Sequence, residues 1–330
     1  MKKILSIRAR VALVWSVAAL ALVAAPGQSV AQGRNPFVTP SDTGETLHIL
    51  PTPASVRSPR DTQPTMAPPR DEAAVYSASY GNGILINHGG PVMSNAGFWA
   101  IYWNRTVANS NQTSLGYATL AEQMKAFVDS FGNDAAYSSQ STDDFSVVQQ
   151  YGPSISSTVK NWGVYVATQP SKSSVSDSGV RNFIAGLFNK GEVPAATNII
   201  YGVYLPQGMK VTMSGGSSCS TFCGYHGHFN YGGVDIRYAV FPFLDCNACR
   251  LSNLSVADML TIVASHEIRE AVTDPQLNAW YDSSGYEADD KCAWHNLYRM
   301  AEGGFWVQPE YSNGGAYPGP GCVVPPQPVP

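Results

Sequence analysis

Positive charge is scarce in the greater part of this chain. Only twelve of the 20 Lys and Arg residues follow residue 70, against twenty-one of the 24 Asp and Glu, so residues 71–330 carry a net charge of −9. Such an acidic segment argues against nucleic-acid binding and against a basic membrane-surface role. Apolar runs long enough to span a bilayer are absent after the N-terminal stretch, so no membrane span is expected in the mature protein. There is no Gly-x-Ser-x-Gly elbow and no Ser-His-Asp order of the kind serine hydrolases use. No glycine-rich loop follows a strand where a phosphate cradle would need one.

What is present begins with an export signal. Lys2, Lys3, Arg8 and Arg10 form a basic start, Val11 to Ala25 is apolar, and Ser29-Val30-Ala31 is a small-x-small cleavage site. Residues 1–31 therefore read as a signal peptide, and the protein as secreted or periplasmic. Residues 32–72 are rich in Pro, Thr, Ser and Arg and read as a disordered linker or pro-segment, with His48 outside any site. Residues 73–330 read as a single globular domain.

Within that domain the patterning alternates. Strands are expected over 97–103, 145–151, 162–167, 198–205, 234–241 and 305–311, and helices over 120–131 and 176–189. The fold class is α/β, a mixed β-sheet with flanking helices. Six cysteines in an exported chain imply disulfides, and their grouping suggests Cys219–Cys223, Cys246–Cys249 and Cys292–Cys322. A zinc site from the first four is the less favoured reading, because an oxidising compartment disfavours thiolates.

The segment Ser255 to Thr273 carries the chemistry. It opens on a capping box, Ser255 with Asp258, and stops at Asp274-Pro275. On a helical wheel Asp258, Thr261, Ser265 and Arg269 form a narrow polar stripe, and Glu267 falls roughly opposite it. His266 and Glu270, four apart, share a face. Burying carboxylates calls for a cation, a raised pKa or a metal ion, and the His266-Glu267-x-x-Glu270 spacing favours a metal. Zn²⁺ suits a site of one imidazole and carboxylates. A third ligand is expected from Glu287, seventeen residues after Glu270, or from Asp290, which could instead orient His266; His295 is a further candidate. Glu267 is placed as general base, and His226 or His228 as a ligand or a hydrogen-bond donor to a bound carbonyl.

His88-Gly-Gly-Pro-Val-Met93 with the strand ending at Trp103, Cys223-Gly-Tyr-His226 and Thr273-Asp-Pro-Gln-Leu-Asn-Ala-Trp-Tyr281 together resemble the secreted phosphate-induced protein 1 (EXORDIUM-like) family. That resemblance implies an extracellular protein with a wall-associated role. The enzyme reading rests instead on the likeness of the His266–Glu270 helix to zincin metallopeptidases, with Glu270 in place of their second His. The expected activity is metal-assisted hydrolysis of a peptide bond. The rival is a non-catalytic protein that binds cell-wall polymer or a surface partner, with a structural metal or none. If the export reading holds, N-terminal sequencing of the secreted protein will start at Gln32; a start inside Val11 to Ala25 would refute it.

Overall fold

The computed structural model describes residues 35–56, 64–131 and 145–327, and the expected signal segment lies outside the described residues. Among the described residues a seven-stranded sheet dominates. Its strands are β1 (Val38–Pro40), β2 (Thr46–Pro51), β3 (Gly97–Tyr102), β4 (Lys160–Val166), β5 (Ile199–Tyr204), β6 (Phe222–Tyr231) and β7 (Val234–Phe241). They lie in the order β1-β2-β6-β7-β5-β3-β4. One half, β7-β5-β3-β4, is parallel; the other, β1-β2-β6-β7, is antiparallel. The mixed α/β class stands. The parallel half needs crossovers, and helices α1 (Leu120–Ser130) and α2 (Asp177–Asn189) lie in them.

Helix α3 (Val256–Thr273) follows β7 and packs against β2, β6 and β7. Its start is the expected capping box, with the Ser255 hydroxyl accepting from the Asp258 N–H at 3.0 Å and Asp258 accepting from the Ser255 N–H at 2.9 Å. Successive side chains of β6 point to opposite faces. Tyr225 points to α2, where its hydroxyl donates to the capping-turn residue Asp177 at 2.9 Å. Gly224 and His226 face α3. A Cβ on Gly224 would sit 2.3 Å from Val263 and 3.0 Å from Glu267, so only glycine lets this strand close on the helix.

Several expectations are corrected here. The packed unit begins at Asn35, not near residue 73. Residues 46–51 form a sheet strand with five of six residues buried, so this part of the expected linker is core. The polar stripe of α3 does not face water, because every residue of the helix is buried. Thr261 donates to the Trp306 carbonyl at 2.7 Å, and Ser265 accepts from the Gln308 N–H at 3.1 Å. Residues 146–151 form a 3₁₀ helix rather than a strand, with the Tyr151 hydroxyl tied to the Tyr311 carbonyl at 2.5 Å. The expected strand 305–311 is two short ones, Trp306–Val307 and Glu310–Ser312, in different sheets. Pro309 between them has no N–H to continue a ladder.

All six cysteines are bridged, but only Cys292–Cys322 pairs as expected. The other bridges are Cys219–Cys246 and Cys223–Cys249. The antiparallel β6–β7 register sets residues around the start of β6 beside those that follow β7, so the bridges cross between the two clusters. This pairing also leaves no thiolate for a cysteine zinc site. Non-reducing peptide mapping should recover the crossed pairs; peptides linked through Cys219–Cys223 would contradict this register.

Candidate metal centre

Four elements deliver polar side chains to one buried point. Helix α3 supplies His266, Glu267 and Glu270; β6 supplies His226; β2 supplies His48; and the turn that leads into Asp290–Cys292 supplies Glu287 and Asp290. All seven are buried, five of them completely, and the most exposed, His48, reaches 7 %.

Strand pairing and the bonds of one turn fix the positions. His48 and His226 are cross-strand partners in the β2–β6 ladder, so both rings project to the α3 side, with centroids 5.8 Å apart. The 282–290 turn is tied by Asp282, whose Oδ1 accepts from the Ser284 and Tyr286 N–H groups at 2.8 and 3.1 Å. The Glu287 N–H donates to Asp290 Oδ2 at 2.9 Å, and the Asp290 N–H donates to Glu270 Oε1, also at 2.9 Å. The turn is thereby docked on the helix, and Cys292–Cys322 holds it from the far side.

The electrostatics are unusual. Arg269 is engaged by Asp289, with Nη2 2.5 Å from Oδ1, and Lys291 by Asp282 at 2.7 Å. Among the described residues no Lys or Arg forms an ion pair with Glu267, Glu270, Glu287 or Asp290. Burial and mutual repulsion hold these carboxyls well above the ordinary range. The histidines supply no charge either. Burial pushes His48 down to about 3 and His266 to about 4, and His226 falls well below its usual value.

The geometry of close pairs is informative. His48 Nδ1 lies 2.9 Å from Glu287 Oε1, and His266 Nε2 lies 3.1 Å from Glu270 Oε2. None of these four atoms has a hydrogen-bond partner, so the pairs are near but not aligned for one. Neighbouring ligands of one ion at about 2.1 Å stand roughly 3 Å or slightly more apart, close to these separations. His226 Nε2, Glu267 Oε1, Glu287 Oε2 and Asp290 Oδ1 are likewise buried and unpartnered. Imidazole nitrogens and carboxylate oxygens suit Zn²⁺ or a similar divalent ion.

The structure thus gathers the sequence candidates His226, His266, Glu267, Glu270, Glu287 and Asp290. Others stand apart. His228 pairs with Asp235 at 3.0 Å on the rim of a groove of about 820 Å³, which Glu45, Arg181 and Gln276 also line. His295 contacts the Tyr80 hydroxyl at 3.3 Å. Sequence reasoning set His48 aside because its segment looked disordered; the signal that could have found it is the short apolar run Leu47-His48-Ile49-Leu50. It also missed Gln308, whose Nε2 lies 3.2 Å from His266 Nδ1 and donates to the Asp289 carbonyl at 2.6 Å. Comparison with family models, with curated proteins and with solved structures returns no match.

A ligand that binds only the folded state at 1,000 times its Kd adds about 4 kcal/mol of stability. At about 2–4 °C per kcal/mol, removing the ion with a chelator should lower Tm by roughly 10 °C, and Zn²⁺ should restore it. An unchanged Tm in a protein that is metal-free before and after chelation would contradict a metal centre here.

Proposed function

We propose that this chain is a secreted metal-dependent hydrolase, with zinc as the fitting ion and a peptide bond as the simplest substrate. The observation that carries the reading is the set of buried, unpartnered nitrogen and oxygen atoms converging from α3, β2, β6 and the 287–290 turn. His266, Glu270, Glu287 and Asp290 are the donors, with His226 beside them. A bound divalent ion supplies Lewis acidity and makes water acidic enough to act as a nucleophile near neutral pH.

Glu267 is the proton acceptor. Its Oε2 accepts from His226 Nδ1 at 3.1 Å, which fixes the carboxylate, while Oε1 is unpartnered. Its carboxylate lies within ligand reach of His266 and Glu270, where it can take a proton from water held at the site. The surplus of donors also favours chemistry over structure. A closed structural zinc site uses four ligands, whereas three imidazoles and four carboxylates meet here. Keeping extra carboxylates buried is costly unless they act.

One observation favours a second reading. Every donor is buried, and the large groove is lined by His228 and Gln276, not by the donors themselves. A non-catalytic extracellular protein of the phosphate-induced protein 1 kind, with the ion as a structural part, would have these properties.

Glu267→Gln distinguishes the two. For the hydrolase, the zinc-loaded variant should lose 10²–10⁴-fold in kcat/KM on a fluorogenic peptide library while retaining its metal. Wild-type protein that is metal-loaded and inert on the library would favour the structural reading.

A further inference from the structure

The centre has a composition that a single ion does not explain. Four carboxylates, Glu267, Glu270, Glu287 and Asp290, share the site with three imidazoles, His48, His226 and His266. One divalent ion leaves two negative charges buried without a counter-charge, whereas two divalent ions balance the set.

The donors also divide by position. Three trios lie within ligand reach: His48 with Glu270 and Asp290, His226 with Glu270 and Glu287, and His266 with Glu267 and Glu270. Each trio contains one histidine, and Glu270 is common to all. The two close, non-hydrogen-bonded pairs use different residues, His48 with Glu287 and His266 with Glu270. Carboxylates span between them. Asp290 presents Oδ2 3.8 Å from His48 Nδ1 and Oδ1 3.8 Å from His266 Nε2. Glu287 presents Oε1 to His48 and Oε2 to His226 Nε2, the latter at 3.7 Å. Asp290, turning separate oxygens toward the histidines of the two close pairs, is placed as the bridging element of a two-ion site, while Glu287 joins His48 and His226 on one side of it.

We propose that the centre binds two divalent metal ions, one at His48, His226 and Glu287 and one at His266 and Glu270, bridged by Asp290. This deepens the proposed function and rests on its metal-binding premise. It makes the β2 residue His48 a ligand, so strand β2 is part of the metal shell as well as of the sheet. Glu267 has a defined place beside the first position, because its hydrogen bond to His226 Nδ1 directs Nε2 of that ring toward Glu287.

The test is metal stoichiometry on the full secreted chain. Apoprotein prepared with a chelator is titrated with Zn²⁺, and bound metal is measured by elemental analysis after desalting. Two equivalents are expected for wild type, and one each for His48→Ala and His266→Ala. In Mn²⁺-loaded wild type, electron paramagnetic resonance should show a spin-coupled pair, lost in both variants; this readout does not depend on activity. Circular dichroism identifies a variant that fails to fold, for which His48→Gln or His266→Gln takes its place. One equivalent in wild type, unchanged by His48→Ala, overturns the two-ion centre and leaves the single-ion hydrolase standing. No bound metal overturns both.

Discussion

Four carboxylates are closed into the interior of this protein, none of them in an ion pair with a Lys or Arg among the described residues, and the rest of the structure is arranged around that constraint. The chain has basic groups nearby but uses them elsewhere. Arg269, on the same helix, is engaged by Asp289 and the Gln308 carbonyl, and Lys291 is held by Asp282. These pairs anchor the 282–291 turn against α3 and leave Glu267, Glu270, Glu287 and Asp290 to be neutralised from outside the chain or by protonation. Either solution ties folding to an exchangeable cation, proton or metal, since a buried charge with no counter-charge is not tolerated.

The covalent framework fits that constraint. Cys292–Cys322 immobilises the residue two positions after Asp290, and Cys223–Cys249 fixes the start of the strand that carries His226. Both bridges brace segments that bear donors, and they close loops that a chain-entropy estimate values at roughly 3–4 kcal/mol each. Rigid donor segments lower the entropy lost when a ligand binds, so the bridges act on the site as well as on global stability.

How far the sequence revealed this depends on the range over which each feature is encoded. Helix α3 was legible because its signals are local: a capping box at Ser255, a stop at Pro275, and apolar periodicity between. The i, i+4 pair His266 and Glu270 follows from helical geometry alone. The disulfide pairing was not legible, because it depends on which residues the β6–β7 hairpin sets side by side. Strand β2 was hidden by the Pro-rich composition around it: six residues of strand are averaged away in a window of forty. With β2 went His48, whose place beside His226 exists only through strand pairing. The polar stripe of α3 misled for a related reason. A wheel shows which residues share a side, but not that the chain near residues 289–308 returns to cover it and satisfies Thr261, Ser265 and Arg269 with its own groups.

The hairpin of β1 and β2 is where the two functional readings part. Its strand β2 extends the sheet beyond β6 and also brings an imidazole nitrogen to within 2.9 Å of Glu287. A covering segment that served only to exclude water would do so best with an apolar side chain at position 48. Histidine there adds a buried polar nitrogen that finds no hydrogen bond, and such an atom is worth its desolvation cost only if something else binds it. The same reasoning applies to His226 and His266, which lie on separate elements and reach the same point from different directions. Three independent elements, each carrying an imidazole with an unpartnered nitrogen into one carboxylate cluster, are hard to reconcile with a merely neutral acidic core. They support the metal shell proposed above, assembled from distant parts of the chain.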